Sequence, residues 1–218
     1  MIHFVRRMKL GDIAQVAEIE RQAFPPPWPA TNFKRELTSN KLARYLVAYS
    51  EVGENEAVGS MAESSGSGEL SPGLRLGALG SSLRRLVNRD VREADERQLV
   101  LGFIGLWFMI DEAHVSNIAV SEAYRRQGVG EHLLISAIDV ALELNARFMT
   151  LEVRNSNIAA VALYKKYDFS EVGIRHGYYT DNKEDAVVMT VDGIASAPFQ
   201  ERLQRLRQAH ARQCGIGV

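Results

Sequence analysis

The stretch His114–Leu134 reads HVSNIAVSEAYRRQGVGEHLL, and it joins a strand pattern to a helix pattern through a turn of arginines and glycines. Its first part belongs to a strand predicted over Ala113–Ala123, and a helix pattern begins at Gly128. A helix start exposes unpaired backbone N–H groups at a positive dipole end, and glycines let a ligand approach the backbone closely. Arg125 and Arg126 add positive charge. The pattern fits an anion-binding loop and, equally, a glycine-rich helix start with solvated arginines.

Two familiar nucleotide-binding loops do not fit this turn. A Walker-type loop needs Lys and then Ser or Thr after its last glycine, whereas Glu131 and His132 follow Gly130. A dinucleotide fingerprint needs a third glycine three residues after the second, and Leu133 stands there. If the turn holds an anion, its own residues do not say which one.

Strand and helix patterns alternate on both sides of the turn. The strands are predicted over residues 3–8, 44–51, 99–110, 113–123, 146–154 and 186–191. The helices are predicted over residues 11–24, 31–40, from 128 onward, 157–167 and 199–213. This alternation predicts an α/β or α+β fold around one mixed sheet. In the helix that begins at Gly128, a stripe of Leu133, Ala137, Ala141 and Leu144 is expected to face that sheet.

The composition suits a globular protein. Of the 218 residues, 46% are hydrophobic and 24% are charged, which allows a core and argues against wholesale disorder. The net charge of −1 argues against a protein that coats nucleic acid, and the single cysteine, Cys214, excludes a disulfide framework and a cysteine-cluster metal site. The first twenty residues lack a signal-peptide pattern, and the most apolar run, Leu99–Ile110, is too short to span a bilayer. We expect a cytoplasmic protein with no membrane role and no direct nucleic-acid role.

Two segments depart from the alternating pattern. Residues 53–98 are rich first in Gly and Ser and then in charge, which indicates a flexible, charged insertion in a loop between two strands. Residues 193–218 form a basic tail, predicted to be helical. The expected organisation is therefore one domain over residues 2–192, interrupted by the insertion and followed by the tail. Such charge runs are usually solvated, although both segments are also candidates for docking a partner.

Three segments in this order carry a resemblance to a known family: His114–Leu134, then LEVRNSNIAAVALYKKYDF (Leu151–Phe169), then YYTDNKEDAVVM (Tyr178–Met189). Together they resemble the GNAT acetyltransferases, and among them the bacterial enzymes that acetylate the N-terminal alanine of a ribosomal protein. The segment IERQAFPPPWP (Ile19–Pro29) is similar to the substrate side of that subfamily. The resemblance covers residues 2–52 and 99–192. It implies a mixed, twisted central sheet flanked by helices, in which two neighbouring parallel strands splay apart.

The resemblance also implies acetyl-CoA as cosubstrate, bound in the gap between the splayed strands. Backbone groups of Ile118, Ala119 and Val120 are expected to hold the pantetheine arm, and Asn157 is expected to line the same site. The pyrophosphate is expected to bind a loop formed by Arg125, Arg126, Gln127, Gly128, Val129 and Gly130. The family thus supplies an identity for the anion that the glycine turn alone leaves open.

Two residues fall on the catalytic positions of the resembling family. Glu152 is the candidate general base, although a strand glutamate is more often structural and paired with an arginine such as Arg154. Tyr164 is the candidate acid that protonates the departing thiolate, although a tyrosine in ALYKKY is equally compatible with a core position. Tyr167 ranks below Tyr164 because the family's tyrosine follows Ala-Leu. The resemblance, not the spacing, separates these alternatives.

Aromatic residues near the predicted peptide entrance are weaker candidates. Tyr178 and Tyr179 lie in a hairpin before the last strand, and Trp28 lies in the proline-rich segment; all three could line an acceptor groove or be ordinary packing aromatics. His114 and His176 receive no role, because an isolated histidine is more often structural. No set of His, Asp and Glu shows a metal-ligand pattern in the sequence, so we expect no metal.

The resulting hypothesis is an acetyl-CoA-dependent acetyltransferase that acts on the N-terminal α-amine of a protein, most simply an N-terminal alanine of a ribosomal protein. Glu152 is expected to serve as base and Tyr164 as acid in a direct transfer. One alternative keeps the fold and changes the acceptor to a lysine or a small-molecule amine. Another alternative is a non-catalytic module that binds acetyl-CoA or docks on the ribosome.

Overall fold

A seven-stranded sheet with five flanking α-helices organises the part of the chain that the structure describes. The structure is a computed structural model, and it describes residues 2–24, 30–51 and 98–215. The strands are β1 (Phe4–Arg7), β2 (Ala43–Glu51), β3 (Gln98–Met109), β4 (Glu112–Val120), β5 (Phe148–Arg154), β6 (Ser170–Arg175) and β7 (Ala186–Asp192). The helices are α1 (Ile13–Ala23), α2 (Ala30–Ser39), α3 (Val129–Glu143), α4 (Ile158–Lys166) and α5 (Ala197–Cys214).

The sheet is mixed, in the order β1-β2-β3-β4-β5-β7-β6. Antiparallel pairing joins β1 to β2, β3 to β4, β5 to β7 and β7 to β6, whereas β4 and β5 run parallel. Because a parallel neighbour requires a crossover, α3 lies between β4 and β5 in the chain. The predicted mixed sheet flanked by helices is confirmed.

The aromatic core beneath α1 and α2 holds these helices to the sheet. Val16 and Ile19 of α1 are buried, and so is Phe33 of α2. The Phe33 ring meets Tyr45 and Phe103 edge to face, with ring centroids 5.9 Å and 5.7 Å apart. Such pairs add to the stabilisation that burial of the apolar surface already supplies.

Helix α3 buries most of the stripe that its sequence predicts. Leu133, Ala137 and Ala141 are fully buried, whereas Leu144 is 37% exposed, so its predicted contact with the sheet is wrong. Leu144 is the C-cap of α3, and a side chain there no longer follows the helical stripe. Gly102 of β3 makes room for this packing, because a Cβ there would lie 2.7 Å from the Ala119 carbonyl and 3.3 Å from Leu133 Cδ1.

Helix α5, in the basic tail, packs against α3. Phe199 and Leu203 are buried, and the Arg207 guanidinium pairs with Asp139 of α3 at 2.5 Å. Within the described ranges, no helix is both long enough and apolar enough to cross a membrane. Residues 53–97 of the expected insertion lie outside the described residues, and the expected domain boundaries stay predictions.

Candidate active site

The parallel pair β4 and β5 separates partway along its length. Its register runs from Glu112 opposite Phe148 to Val115 opposite Leu151. Beyond that point β4 continues to Val120 against β3, and β5 continues to Arg154 against β7. Beyond the paired residues, the facing edges of β4 and β5 are no longer bonded to each other. The opening between these two edges is where the sequence predicts a bound cosubstrate.

Alternation along β5 directs its polar side chains to one face. Met149, Leu151 and Val153 are buried in the core, and Thr150, Glu152 and Arg154 project to the other side. A single strand therefore brings the candidate base and a cation to the same face of the sheet, two residues apart.

Glu152 meets two basic side chains. Its Oε2 lies 3.2 Å from His114 Nε2, and its Oε1 accepts from the Arg175 guanidinium at 2.9 Å. The carboxylate side chain is only 6% exposed. The hydrogen bond from His114 is the largest influence on the pKa of Glu152 and lowers it, against the effect of burial, with further help from the charges of His114 and Arg175. Glu152 is therefore ionised near neutral pH.

His114 belongs to a hydrogen-bonded chain that sequence reasoning left without a role. Its Nδ1 lies 3.0 Å from Thr150 Oγ1, and the Thr150 hydroxyl donates in turn to Glu112. We call Glu112, His114, Thr150, Glu152 and Arg175 the Glu152 network. Both ring nitrogens of His114 thus face oxygen atoms, which fixes the plane of the imidazole beside Glu152.

Arg154 holds the β6–β7 connection against β5. Its guanidinium pairs with Asp181 at 2.9 Å and with Glu184 at 3.2 Å, and it stacks 3.9 Å from the centre of the Tyr179 ring. Arg154 is thus committed to this loop, and Arg175 is the arginine that pairs with Glu152. Sequence proximity alone suggested Arg154 for that pairing.

The two hairpin tyrosines lie beside the Glu152 network. Their rings meet edge to face, with centroids 5.3 Å apart and an interplanar angle of 89°. The Arg175 guanidinium lies 5.6 Å from the centre of the Tyr178 ring. Burial raises the pKa of Tyr178, and the charge of Glu152 raises it further, so Tyr178 and the candidate base share one electrostatic environment. Tyr178 is 44% exposed and therefore accessible to an incoming acceptor.

The two candidate tyrosines of α4 and its C-cap occupy different environments. Tyr164 is buried and packs on Phe169, with ring centroids 5.8 Å apart. Burial raises the pKa of Tyr164, and Tyr179 contributes to the same shift, so this phenol keeps its proton at neutral pH. Tyr167 instead donates its hydroxyl to Glu131 Oε1 at 2.7 Å, a structural bond. The ranking of Tyr164 above Tyr167 as the acid stays a prediction.

The Arg125–Gly130 loop ends in a strained turn that leads into α3. Gly128 is the N-cap, with a left-handed φ of +85°, and Arg126 also has a positive φ of 64°. A Cβ on Gly128 would lie 2.6 Å from Cys214 Sγ, so packing of α5 also requires glycine there. Within the part of the chain that the structure describes, a Cβ on Gly130 would meet only Val120 Cγ2, at an ordinary 3.6 Å. Packing among these residues therefore explains the glycine at position 128 and not the one at position 130.

The other predicted cosubstrate residues lie at the ends of the separating strands. Ile118, Ala119 and Val120 form the last part of β4, and Arg125 Nε donates to the Val120 carbonyl at 3.3 Å. Asn157 is the N-cap of α4, and its Oδ1 accepts from the Ala160 N–H at 3.2 Å. Its side chain therefore has a structural function whether or not a ligand is bound.

Several predicted residues come together, and one cannot be assessed. Glu152, Tyr178 and Tyr179 converge, and Tyr164 is electrostatically linked to Tyr179. Trp28 lies outside the described residues. The residues that sequence reasoning missed, His114 and Arg175, reach Glu152 from β4 and β6, and only the strand order of the sheet could have revealed them. The functional roles of all these residues stay predictions.

The fold and the site together define a class, namely mixed α/β proteins whose central parallel strands separate beside a helix start. A family model described as the acetyltransferase (GNAT) family matches residues 78–169. A Bacillus subtilis (strain 168) protein, provisionally named a ribosomal protein bS18-alanine N-acetyltransferase, is 36% identical over 187 residues, which are 86% of this chain and 93% of that protein.

Two solved structures share the fold. The crystal structure of the ribosomal-protein-S18-alanine N-acetyltransferase from Escherichia coli has a TM-score of 0.59 and 25% identity, and the match covers 88% of this chain and 94% of that one. Arabidopsis thaliana NAA60, solved in complex with acetyl-CoA, has a TM-score of 0.60 and 16% identity, and the match covers 88% of this chain and 98% of that one. The chain belongs to the GNAT acetyltransferase family, and it is an N-acetyltransferase of that type.

Proposed function

We propose that this enzyme transfers the acetyl group of acetyl-CoA to the N-terminal α-amine of a protein, with an N-terminal alanine of a ribosomal protein as the natural acceptor. The observation that carries the proposal is the buried, ionised Glu152 carboxylate beside the accessible Tyr178, at the point where β4 and β5 separate. The alanine-specific names of the Bacillus and Escherichia relatives support the choice of acceptor.

The acceptor chemistry suits a base of modest strength. An α-amine has a pKa of ~7.7–8.0, so a useful fraction is already neutral at pH 7. A lysine amine, near ~10.4, would need ~3–4 kcal/mol more to lose its proton. A carboxylate with a lowered pKa, such as Glu152, is a weak base, which fits an α-amine far better than a lysine.

In the proposed reaction the neutral amine nitrogen attacks the thioester carbonyl carbon, and the carbon–sulfur bond then breaks. Glu152 accepts the proton that the amine nitrogen loses, directly or through one water molecule. Tyr164 gives its phenolic proton to the departing thiolate. The raised pKa of Tyr164 keeps the phenol protonated until the thiolate forms. The two side chains recover their original states by proton exchange with solvent.

The acetyl-CoA site of the proposal has two parts. Backbone groups of Ile118–Val120 face the strand opening and are suited to the amide-bearing pantetheine arm. The amides at the start of α3 are suited to the pyrophosphate, with Arg125, Arg126 and Gln127 beside them. Gly130 supports this assignment, because no packing contact among the described residues requires glycine there and a ligand lying against the backbone would.

The acceptor peptide is proposed to enter along the β6–β7 hairpin. Tyr178 and Tyr179 would contact its first residues, and Arg154 keeps their loop in place through Asp181 and Glu184. A small first side chain such as alanine suits an entrance bounded by two aromatic rings.

The direct test is a transfer assay with the full chain, acetyl-CoA and matched peptides, with products located by fragmentation mass spectrometry. One peptide begins with alanine and contains an internal lysine, a second differs only in a blocked N-terminus, and a third only in a bulky first residue. Spermidine serves as the small amine. We expect acetylation at the alanine α-amine alone. Preferred transfer to lysine or to spermidine would replace the proposed acceptor, and no transfer to any amine would favour a non-catalytic module.

A further inference from the structure

Three histidines from distant parts of the chain meet behind the start of α3. His3 directly precedes β1, His132 lies in the first turn of α3, and His210 lies near the end of α5. Their ring centroids are 5.1 Å apart for His3 and His132, 5.4 Å for His132 and His210, and 6.2 Å for His3 and His210. We call these three residues the histidine cluster.

The cluster is shielded from water, and two of its ring nitrogens lack hydrogen bonds. His3 is 0% exposed and His210 is 3% exposed. Nδ1 of His132 and Nε2 of His210 are both buried, with no hydrogen-bond partner among the described residues. A buried polar atom without a partner is costly and uncommon, so two of them in one cluster need an explanation.

One nitrogen from each of the three rings lies within 4.8 Å of the other two. We propose that His3, His132 and His210 bind a divalent transition-metal ion of the zinc class through these nitrogens. Imidazole nitrogen is a preferred ligand of such ions, and Zn–N bonds of ~2.1 Å place tetrahedral ligand nitrogens roughly 3.4 Å apart. The rings would therefore move inward by about 1 Å on binding.

A carboxylate and a thiol lie near the Nδ1 side of His210, where Cys214 Sγ is 3.8 Å away. The same Nδ1 lies 3.8 Å from Glu131 Oε2, which leaves Nε2 for the ion. Glu131 is held in turn by Lys166 and by the Tyr167 hydroxyl. A carboxylate behind the ligand ring is a common second layer of zinc sites, because it orients the imidazole and increases its basicity.

One positive charge, the Arg207 guanidinium, also acts on the cluster. Arg207 is itself paired with Asp139, which offsets its repulsion of an ion.

The ion would join α5 to α3, directly behind Gly128. His210 and Cys214 of α5 already contact the position of the missing Cβ of Gly128. This role is structural and does not depend on the proposed acetyl transfer. No metal pattern is visible in the sequence, because the three ligands come from the residue before β1, from α3 and from α5, and share no spacing.

The test uses the full chain without a histidine tag, stripped with EDTA and dialysed. Zinc binding is measured by titration calorimetry and by elemental analysis after gel filtration. We expect one zinc per chain, and a loss of affinity of roughly 10-fold or more in each of His3→Gln, His132→Gln and His210→Gln. A stoichiometry near zero, or unchanged affinity in all three variants, would overturn the proposal.

Matched controls use the other candidate ligands. His176→Gln removes an exposed hairpin histidine, and Cys214→Ser removes the one thiol; both should keep wild-type affinity. A loss of zinc in either control would assign the ion elsewhere. A second measurement avoids variants that fail to fold: X-ray absorption of the zinc-loaded wild type should show imidazole scattering from three rings. Sulfur ligands or a single imidazole would contradict the site.

Discussion

The Glu152 network and the histidine cluster both bury titratable groups, but their surroundings act on the charged form in opposite directions. In the Glu152 network, a carboxylate meets an imidazole and a guanidinium, so the pKa of Glu152 falls because its charged form is stabilised. In the histidine cluster, burial and then the neighbouring rings destabilise the charged form of His132, so its pKa falls. The same direction of shift thus marks an ionised residue in one region and a neutral one in the other.

Removal of the Glu152 charge is the most severe test of the Glu152 network. We expect Glu152→Gln to lower kcat by about 100- to 10,000-fold, or ~3–5 kcal/mol, because the amide cannot accept the amine proton. Acetyl-CoA affinity should remain, since the proposed cosubstrate contacts lie on β4 and at the start of α3. Steady-state rates with the alanine peptide, together with calorimetry for acetyl-CoA, measure the two quantities.

Glu201→Gln is the matched control, because Glu201 is exposed on α5 and is not a member of the Glu152 network. Its rate should equal that of the wild type. Normal turnover in Glu152→Gln would remove the catalytic assignment and leave Glu152 as a structural partner of Arg175.

The histidine cluster should influence how the free energy of unfolding depends on pH. His132 has a pKa of about 4 in the folded chain and an ordinary value of 6.5, so the unfolded chain binds more protons between these values. Stability is therefore complete above pH 6.5 and falls as pH drops toward 4, by at most ~3 kcal/mol. Urea unfolding of EDTA-treated protein at several pH values measures this slope.

His132→Asn should flatten that slope, and His176→Asn should leave it unchanged. A further loss between about pH 4.5 and 2 should remain in both variants, because the pKa of Glu131 is lowered to about 2 and its stabilising contribution disappears only as it is protonated. An identical slope in wild type and His132→Asn would show that the cluster does not govern the pH range above 4.

The sequence predicts the fold well where a pattern is local. Alternation in β5 places Glu152 opposite its buried neighbours, and the apolar stripe of α3 is correct except at Leu144. The residues of β6 carry no strand pattern, because all six are exposed. The strand forms through its pairing with β7. Burial creates the periodic signal, so an exposed edge strand lacks it.

Sites assembled from several elements are harder to predict. The Glu152 position follows from a family motif, whereas its partners His114 and Arg175 come from β4 and β6 and meet it only in the folded sheet. The histidine cluster has no motif at all. Proximity of His3 and His210 depends on the packing of α5 against α3, which no spacing along the chain encodes.

Tyr164 and Tyr167 offer a comparison on a smaller scale. We expect Tyr164→Phe to lower kcat by about 10- to 100-fold, because the thiolate then leaves without a proton donor. Tyr167→Phe is the control: it removes the bond to Glu131 and should cost about 1 kcal/mol of stability while kcat is kept. Equal rates in the two variants would remove the acid role from Tyr164.

The smallest expected effect concerns His114, which we expect to orient Glu152 through their contact. His114→Gln should lower kcat by about 10-fold at pH 7.5, since the carboxylate loses its main hydrogen-bond partner and its fixed orientation. The same change should raise the pKa of Glu152 toward its ordinary 4.5, because His114 is the largest cause of the present lowering. Carbon-13 NMR of carboxyl-labelled glutamate measures that pKa, and Glu152→Gln identifies the resonance. A reduced rate with an unchanged Glu152 pKa would mean that His114 acts only through packing, and the network would then be two independent pairs.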